Sequence, residues 1–270
     1  ASIIIQDNTF VSNYIGIDIS SSKPQVLNNT FTDNINGIHV NYYTDAYISG
    51  NHFMLGNFSI NVTKGGMATL VNNSLRFSSN YSVIVDLESH VNMMNNLIDG
   101  KDQKGVYFHN SEGFLANNTF SNTTTGFICY GSEIYMEHNY FTHDSLGMAI
   151  MRSTVVMVGD IFSNNSVQAI NTDSSYTTFT DLRLYDNKVG LQSFGSHLFI
   201  TNMTIINNEI GLWIYEDLSA NINGLYISGS KTSSVQVWNN NLHNITVSFK
   251  DIHISNNYGK FQIQESTVLL

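Results

Sequence analysis

Apolar and polar residues alternate in short runs along the chain, and the alternation restarts at a regular interval. Each interval begins with an Asn or Asp, and a large apolar residue follows it closely, as Phe10 follows Asn8. Eight to ten residues after the Asn or Asp comes a small residue such as Gly16, usually followed by an alternating apolar pair, here Ile17 and Ile19. Period-two alternation is typical of β-strands, and no stretch sustains the 3.6-residue period of a helix. The pattern predicts three short strands, separated by turns, in each interval.

The interval itself indicates how these strands are arranged. The leading Asn or Asp recurs every 21 to 23 residues, with one final step of 28 residues. One interval buries roughly six apolar side chains at about 1.5–3 kcal/mol each, whereas ordering its backbone costs about 1–2 kcal/mol per residue. A single interval is therefore unstable alone and must stack on its neighbours as one coil of a solenoid. We predict an all-β fold, a parallel β-helix of about 12 coils that forms a single domain over residues 1–270.

The recurring Asn or Asp has a predicted structural role. Asn tolerates the left-handed backbone region that a sharp turn needs. Stacked at the strand spacing of ~4.8 Å, each side-chain amide can donate to the carbonyl of the next one. We therefore predict an internal ladder, with left-handed turn residues, at Asn8, Asn29, Asn51, Asn73, Asn96, Asn118, Asn139, Asp160, Asp181, Asn202, Asn223 and Asp251.

The ladder and the Gly-aliphatic strand starts resemble the right-handed parallel β-helix superfamily of pectin lyase-like proteins, over residues 1–266. The resemblance implies a right-handed solenoid. Tetrads of Phe-x-x-Asn look like those of repeat-rich surface and adhesin-type β-helix proteins; they lie at Phe10–Asn13, Phe31–Asn34, Phe77–Asn80 and Phe162–Asn165. The fold carries lyases, hydrolases, epimerases, adhesins and phage tailspikes, so the resemblance leaves the function open.

Catalysis in the pectin-acting members is expected on the outer face of the first sheet. The outward positions of that strand are predicted to be Asp18, His39, Asn61, Ile84, Tyr107, Ile128, Ala149, Asn171, Gln192, Trp213, Gln236 and Gln262. They include no Arg or Lys, and Asp18 is the only acid. Acid–base chemistry needs at least two positioned titratable groups. We therefore predict no catalytic residue and no cofactor, which leaves the chain, on balance, not an enzyme.

Other polar clusters are weaker candidates. His138, His143 and Asp144 lie within seven residues, which is compatible with a metal site or with a solvated turn whose side chains diverge. Asp160 and Asp181, as neighbours in the ladder, would either attract a cation or each accept backbone hydrogen bonds at its own turn. For both groups we favour the reading without a metal, a solvated turn for the first and backbone hydrogen bonds for the second, and we predict no metal site. Cys129 falls on the inward side of its strand and is expected in the core.

The composition limits the classes of partner. Only 12% of the residues are charged, the net charge is −10, and the chain has 36 Asn but three Arg. Nucleic acid is excluded because phosphate binding needs clustered Lys and Arg. No apolar run approaches the ~18 residues of a membrane span.

Two surface features predict modification and contact. Sequons are glycosylation candidates at Asn28, Asn57, Asn61, Asn72, Asn80, Asn117, Asn122, Asn164 and Asn244, whereas Asn202 is left out as a ladder residue. Asn28, Asn72 and Asn117 directly precede ladder residues and should point outward. Contiguous apolar columns predict contact with a partner or cover by an intrachain loop. They comprise Ile84, Tyr107 and Ile128 on the first sheet, and Phe114, Tyr135 and Val156 on the second.

These features favour a non-catalytic extracellular or cell-surface protein, a structural β-helix for filament formation or adhesion. The chain begins and ends in strand-like segments without a capping helix, which predicts a longer polypeptide or self-association of copies, end to end or laterally. Another surface protein or a glycan is the alternative partner. Two other functions stay open: a carbohydrate-active enzyme or carbohydrate-binding module that uses His39, Asn61, Tyr107 and Trp213, and a trimeric tailspike-like stalk.

Overall fold

The computed structural model describes residues 3–239, 246–258, 260–264 and 267–269. These residues form strands and turns, and their strands pair in parallel. The predicted all-β parallel β-helix of about 12 coils is confirmed. The chain divides into two compact units, residues 1–135 and 136–270. In the part of the chain that the structure describes, no helix has the length and apolarity needed to cross a membrane.

The first unit contains three parallel sheets. The first sheet holds β3 (Ile15–Ser20), β6 (Asn36–Asn41), β9 (Phe58–Val62), β12 (Tyr81–Asp86) and the ends of β14 (Leu97–His109) and β16 (Thr119–Tyr130). The second holds β1 (Ile4–Gln6), β4 (Gln25–Leu27), β7 (Asp45–Ser49), β10 (Met67–Val71), β13 (His90–Met94) and β15 (Glu112–Ala116). The third holds β2 (Thr9–Val11), β5 (Thr30–Thr32), β8 (His52–Met54), β11 (Ser74–Arg76) and the starts of β14 and β16. Strand β17 (Glu133–Glu137) spans the boundary between the units.

The second unit repeats this arrangement. Its first sheet holds β19 (Leu146–Met151), β22 (Gln168–Asp173), β25 (Val189–Phe194), β27 (Ile210–Tyr215), β29 (Ser233–Trp238) and β31 (Lys260–Gln264). Its second sheet holds β20 (Thr154–Val158), β23 (Tyr176–Thr180), the starts of β26 (His197–Ile206), β28 (Ser219–Ser228) and β30 (Thr246–Ser255), and β32 (Thr267–Leu269). Its third sheet holds β18 (Tyr140–Thr142), β21 (Ile161–Ser163), β24 (Arg183–Tyr185) and the ends of β26, β28 and β30.

The core consists of inward side chains stacked one coil above the next. The rings of Phe31 and Phe53 lie parallel with their centroids 4.6 Å apart. The small residue at the start of the first sheet is required by this stack, because a Cβ on Gly37 would lie 2.9 Å from the Phe53 ring and 2.5 Å from the carbonyl oxygen of Ser59. Cys129 is fully buried in the same core.

The predicted ladder forms at the turn between the second and third sheets, which is called the first turn below. From Asn8 to Asn96, and again at Asn139, the backbone N–H and the side-chain Nδ2 of a rung both donate to Oδ1 of the next rung, as Asn29 donates to Asn51 at 2.8 and 3.1 Å. The rungs of the first unit are Asn8, Asn29, Asn51, Asn73, Asn96 and Asn118, and those of the second are Asn139 and Asp160.

The ladder prediction is wrong at four later positions: Asp181, Asn202, Asn223 and Asp251 are exposed. Ile161 pairs with Arg183, and Arg183 with Thr204, so the column that follows Asp160 is occupied by Leu182 and then Met203. Both of these side chains are buried. An aliphatic side chain fills the same space without needing hydrogen-bond partners, so the amide ladder ends where hydrophobic packing takes over.

The left-handed turn residue is also one position earlier than predicted. Asn28, Asn72 and Asn117 have φ between +52° and +54°, and each directly precedes a rung. The rung must point inward to reach the next coil, so the chain reverses at the preceding residue, whose side chain points outward. The Oδ1 atom of Asn28 occupies the place where a Cβ on Gly50 would lie, so the next coil needs glycine there.

Two further ladders were not predicted from the sequence; they lie at the second turn, between the third and first sheets, and at the third turn, between the first and second sheets. At the second turn, Asn13 Nδ2 donates to Asn34 Oδ1 and Asn165 Nδ2 to Asn187 Oδ1, each at 2.9 Å. At the third turn the rungs are hydroxyl groups, as where the Ser153 N–H donates to Ser175 Oγ at 3.1 Å. The Phe-x-x-Asn tetrads that end at Asn13, Asn34 and Asn165 therefore mark the second turn, whereas in the tetrad Phe77–Asn80 it is Phe77 that takes the left-handed conformation.

Candidate functional site

The outer face of the first sheet carries the predicted outward column in register. In the first unit Asp18 pairs with His39, and Ile84 with Tyr107; in the second, Gln192 pairs with Trp213. A second outward column lies two residues further along the same strands. It comprises Asp86, His109 and Tyr130 in the first unit, and Met151, Asp173, Phe194, Tyr215 and Trp238 in the second. This second column was not predicted, because only one outward residue of each strand was considered.

Asp86 and His109 form an ion-pair geometry on this face. His109 Nδ1 lies 2.7 Å from Asp86 Oδ1, and each side chain is about one-third exposed. The Asn110 amide lies 3.2 Å from His109 Nε2. With Nδ1–H donating to Asp86 and the Asn110 amide donating to Nε2, the imidazole is held in one tautomer whose Nε2 carries the lone pair.

Tyrosine rings surround this pair. Tyr107 lies between Tyr81 and His109, with ring centroids 5.4 and 6.0 Å away, and Tyr130 lies 5.6 Å beyond His109. Burial raises the pKa of Tyr107, and the neighbouring Tyr81, Asp86 and Tyr130 raise it further. The Tyr107 phenol is therefore protonated at neutral pH and acts as a hydrogen-bond donor.

A second carboxylate–imidazole contact lies on the same sheet. His39 Nδ1 is 3.1 Å from Asp18 Oδ1, and Asn41 Nδ2 donates to the same oxygen at 3.2 Å. Two positioned titratable groups are thus present twice on this sheet, as Asp18 with His39, which were among the predicted outward positions, and as Asp86 with His109, which were not. The absence of catalytic residues remains a prediction.

The second unit presents amides and aromatic rings on this face. Phe194 and Tyr215 stack at 5.3 Å, and Trp213 meets Trp238 edge to face at 5.8 Å. The Gln192 side chain accepts a hydrogen bond from Gln168. Neither outward column has a Lys or Arg among the described residues of this unit.

The other predicted clusters are dispersed. Asp144 is a buried rung whose N–H donates to Asn165 Oδ1 at 3.0 Å, whereas His143 is exposed at the neighbouring left-handed position and bonds Thr142 at 2.8 Å. Asp181 lies outside the ladder and is not a rung beside Asp160. Within the described ranges no three His, Cys, Asp or Glu side chains are grouped to hold a metal ion.

The sequons fall into distinct environments. Exposed asparagines in left-handed turns are Asn28, Asn72, Asn117, Asn122, Asn164 and Asn202, whereas Asn57, Asn61 and Asn80 are half-buried. The reason for excluding Asn202 is therefore wrong, and Asn244 lies outside the described residues. Whether any is modified remains a prediction.

The apolar columns are partly accessible. Ile84, Tyr107 and Ile128 are half-buried and are neighbours in register. Val156, in the second unit, is also half-buried. The Phe114 and Tyr135 rings stack at 5.7 Å, and Tyr135 is 40% exposed. Contact with a partner at these columns remains a prediction.

Comparison with known proteins agrees with this architecture. The A-module of the mannuronan C-5 epimerase AlgE4 from Azotobacter vinelandii has a similar structure, with a TM-score of 0.70 and 14% identity over 99% of this chain and 91% of that chain. The periplasmic alginate epimerase AlgG has a TM-score of 0.51 and 8% identity over 92% and 77%. The Streptococcus pneumoniae surface adhesin PfbA has a TM-score of 0.45 and 11% identity over 96% and 83%. No curated protein sequence matches the chain.

These structural likenesses show the fold alone. The family model of the right handed beta helix region matches residues 1–141 and 105–268. Because these matches cover nearly the whole chain, the protein belongs to the family of right-handed β-helix proteins.

Proposed function

We propose that the protein is an extracellular, non-catalytic β-helix that binds a neutral polysaccharide along the outer face of its first sheet. One observation carries the proposal, the outward columns of amides and aromatic rings in the second unit, where Gln192 pairs with Trp213, and Phe194 with Tyr215. Amide groups can both donate to and accept from sugar hydroxyls. Aromatic side chains bury the apolar faces of sugar rings and hold a polar group at the rim.

The arrangement favours a polymer. Equivalent side chains repeat once per coil, at the ~4.8 Å spacing of parallel strands. A chain of sugars lying along the sheet would meet a similar group at each step, and many weak contacts would add together.

The charge favours a neutral polymer. The protein carries a net charge of −10, and an anionic polysaccharide would be repelled unless cationic side chains offset that charge. In the first unit the two outward columns carry Asp18 and Asp86, each beside a histidine rather than a Lys or Arg.

Affinity electrophoresis tests the proposal. Native gels containing a neutral β-glucan or glucomannan should retard the protein, and gels containing polygalacturonate should not. Trp213→Ala should weaken the retardation about tenfold, whereas Tyr176→Ala, which removes an exposed ring from the second sheet of the same unit, should leave it unchanged. Retardation by polygalacturonate alone, or equal effects of the two substitutions, would contradict the proposal.

A second candidate function rests on Asp86 and His109. The 2.7 Å contact orients the imidazole of His109, whose Nε2 can accept a proton once a substrate displaces the Asn110 amide, and the protonated Tyr107 phenol beside it can donate a hydrogen bond to a sugar oxygen. A positioned base and a hydrogen-bond donor are two of the groups that acid–base chemistry on a sugar uses. Turnover of any neutral or uronic-acid polysaccharide by the native protein, abolished by His109→Ala, would replace the binding-only function with this one.

A further inference from the structure

A pocket at the first turn of the second unit is separate from the sheet face described above. It has a volume of about 510 Å³ and is lined by two adjacent columns of side chains. One column is the left-handed turn position, with His138, Gly159 and Asp181 on successive coils. The other belongs to the third sheet, where Arg183 pairs with Ile161 on one side and with Thr204 on the other.

Gly159 accommodates the imidazole that forms one wall of this pocket. Its φ of +69° is readily adopted by glycine, and a Cβ at this position would lie 2.5 Å from Nδ1 of His138. The imidazole therefore lies over the glycine, in the place that a side chain of that coil would take. Asp181, on the next coil, also lines the pocket.

Two opposite charges face this space without neutralising each other. Asp181 and Arg183 are both exposed and both line the pocket. The ion pairs found among the described residues include neither of them. Each charge is therefore available to a ligand group of the opposite sign.

We propose that this pocket binds a small zwitterion of the α-amino acid class. The guanidinium of Arg183 presents paired donors that match a carboxylate, and the Asp181 carboxylate can accept from an ammonium group. Ile161 offers an apolar surface for the ligand side chain. The volume is within the usual range for a small-molecule site.

Ligands with one kind of charge fit less well. A simple anion would be attracted by Arg183 but repelled by the Asp181 carboxylate. A simple cation would be attracted by Asp181 but repelled by Arg183. Rejection by like charge is how sites of mixed sign discriminate among small ions.

The site shares no residue with the proposed polysaccharide face. The two proposals therefore fail separately: Trp213→Ala should leave amino-acid binding unchanged, and Arg183→Gln should leave polysaccharide binding unchanged.

Calorimetric titration with three related probes tests the zwitterion proposal. Protein made in a host without N-glycosylation keeps Asn202, which also lines the pocket, unmodified. Leucine should bind about tenfold more tightly than N-acetyl-leucine, which lacks the ammonium, and than leucine amide, which lacks the carboxylate. Arg183→Gln should remove the preference over leucine amide, and Asp181→Asn the preference over N-acetyl-leucine.

A matched control is Lys188→Gln, which removes an exposed cation at the second turn of the same unit and should change nothing. Equal binding of the three probes, no binding of any of them, or tighter binding of glucuronate than of leucine would each overturn the proposal.

Discussion

At the scale of the residue, the unusual groups are carboxyls that replace amides or hydroxyls in the ladders. Asp160 ends the first ladder, with Oδ1 accepting from Asn139 at 2.7 and 2.9 Å, whereas its Oδ2 is buried without a hydrogen-bond partner. In an Asn rung the second atom is Nδ2, which donates to a carbonyl, as Asn51 does to Val26 at 2.8 Å. A protonated carboxyl restores such a donor. Burial raises the pKa of both Asp160 and Asp217, which occupies a rung at the third turn, to about 7.

The raised pKa of Asp160 predicts greater stability at mildly acidic pH. The unfolded carboxyl ionises near 3.8 and the folded one near 7, so the folded state binds the proton more tightly. Its stabilising effect is complete below pH 3.8 and is lost as the pH rises through 7, a change on the order of a few kcal/mol. Asp160→Asn keeps a permanent donor and should raise the Tm at pH 8 while flattening the decline in Tm between pH 5 and pH 8.

Scanning calorimetry at the two pH values measures this change, and Asp181→Asn is the control because that carboxylate is exposed. An unchanged decline in Asp160→Asn would mean that Asp160 is ionised in the folded protein at pH 5.

At the scale of the element, the atoms of a neighbouring coil restrict which residue a coil can have at a given position. Gly37 and Ser82 occupy the same position at the start of their strands in the first sheet, where the chain passes close to a neighbouring backbone. Whether a Cβ is tolerated depends on the groups stacked nearby, and at Gly37 it would meet both the Ser59 carbonyl oxygen and the Phe53 ring.

Gly37→Ala should therefore destabilise the protein by about 1–3 kcal/mol, as expected for overpacking a closed core. Ser82→Ala should leave the free energy of unfolding unchanged or raise it, because the buried hydroxyl that it removes has no hydrogen-bond partner. Urea unfolding of the two variants provides the comparison. Equal destabilisation by both would show that the Phe53 ring does not set the requirement for glycine.

The first ladder predicts a similar contrast between adjacent residues. Asn118→Leu takes a partner from two buried backbone groups, at about 1–3 kcal/mol each: the Asn96 N–H, which donates to Asn118 Oδ1 at 2.9 Å, and the Met93 carbonyl, which accepts from Asn118 Nδ2 at 2.9 Å. Asn117→Ala changes only an exposed left-handed residue and should cost about 1–2 kcal/mol. Thermal unfolding should show a clearly lower Tm for Asn118→Leu, and similar values would mean that the rung contributes no more than the turn.

At the scale of the whole molecule, the polar surface is rich in amides and poor in charge, and several sequons lie on its outward turns. Asn28, Asn72 and Asn117 occupy equivalent exposed positions of the first unit, away from the first sheet. Glycans at these positions would leave the proposed polysaccharide face open.

Secretion from a eukaryotic host should therefore yield a glycosylated protein. Asn117→Gln should lower the intact mass by one glycan, and treatment with an endoglycosidase should remove that difference apart from the substitution itself. Asn95→Gln, an exposed left-handed residue outside any sequon, is the control. An intact mass that endoglycosidase does not change would show that the sequons are not used.

The repeat was predictable because each coil needs the same inward apolar positions, so the fold, the core and the first-turn rungs from Asn8 to Asp160 follow from periodicity. Register by single residues was not predictable where several asparagines adjoin. Asn72 and Asn73 differ only in that one makes the left-handed turn and the other bonds the next coil. A purely local pattern does not contain this difference. The incorrect rungs from Asp181 onward have another cause: Leu182 and Met203 occupy the rung column there, and the Asn or Asp beside each of them is the left-handed turn residue.

What the sequence determined by itself is therefore the repeated unit: its strands, its inward and outward faces, and the excess of amides over charges. The tertiary structure alone decided which side chains of different coils meet. Asp86 and His109 are 23 residues apart yet lie 2.7 Å from each other, and Asp181 and Arg183 share a pocket with His138, which comes two coils earlier in the chain. Stacking brings together residues that are one coil apart. A difference of a single residue in the length of a coil therefore changes which side chains meet.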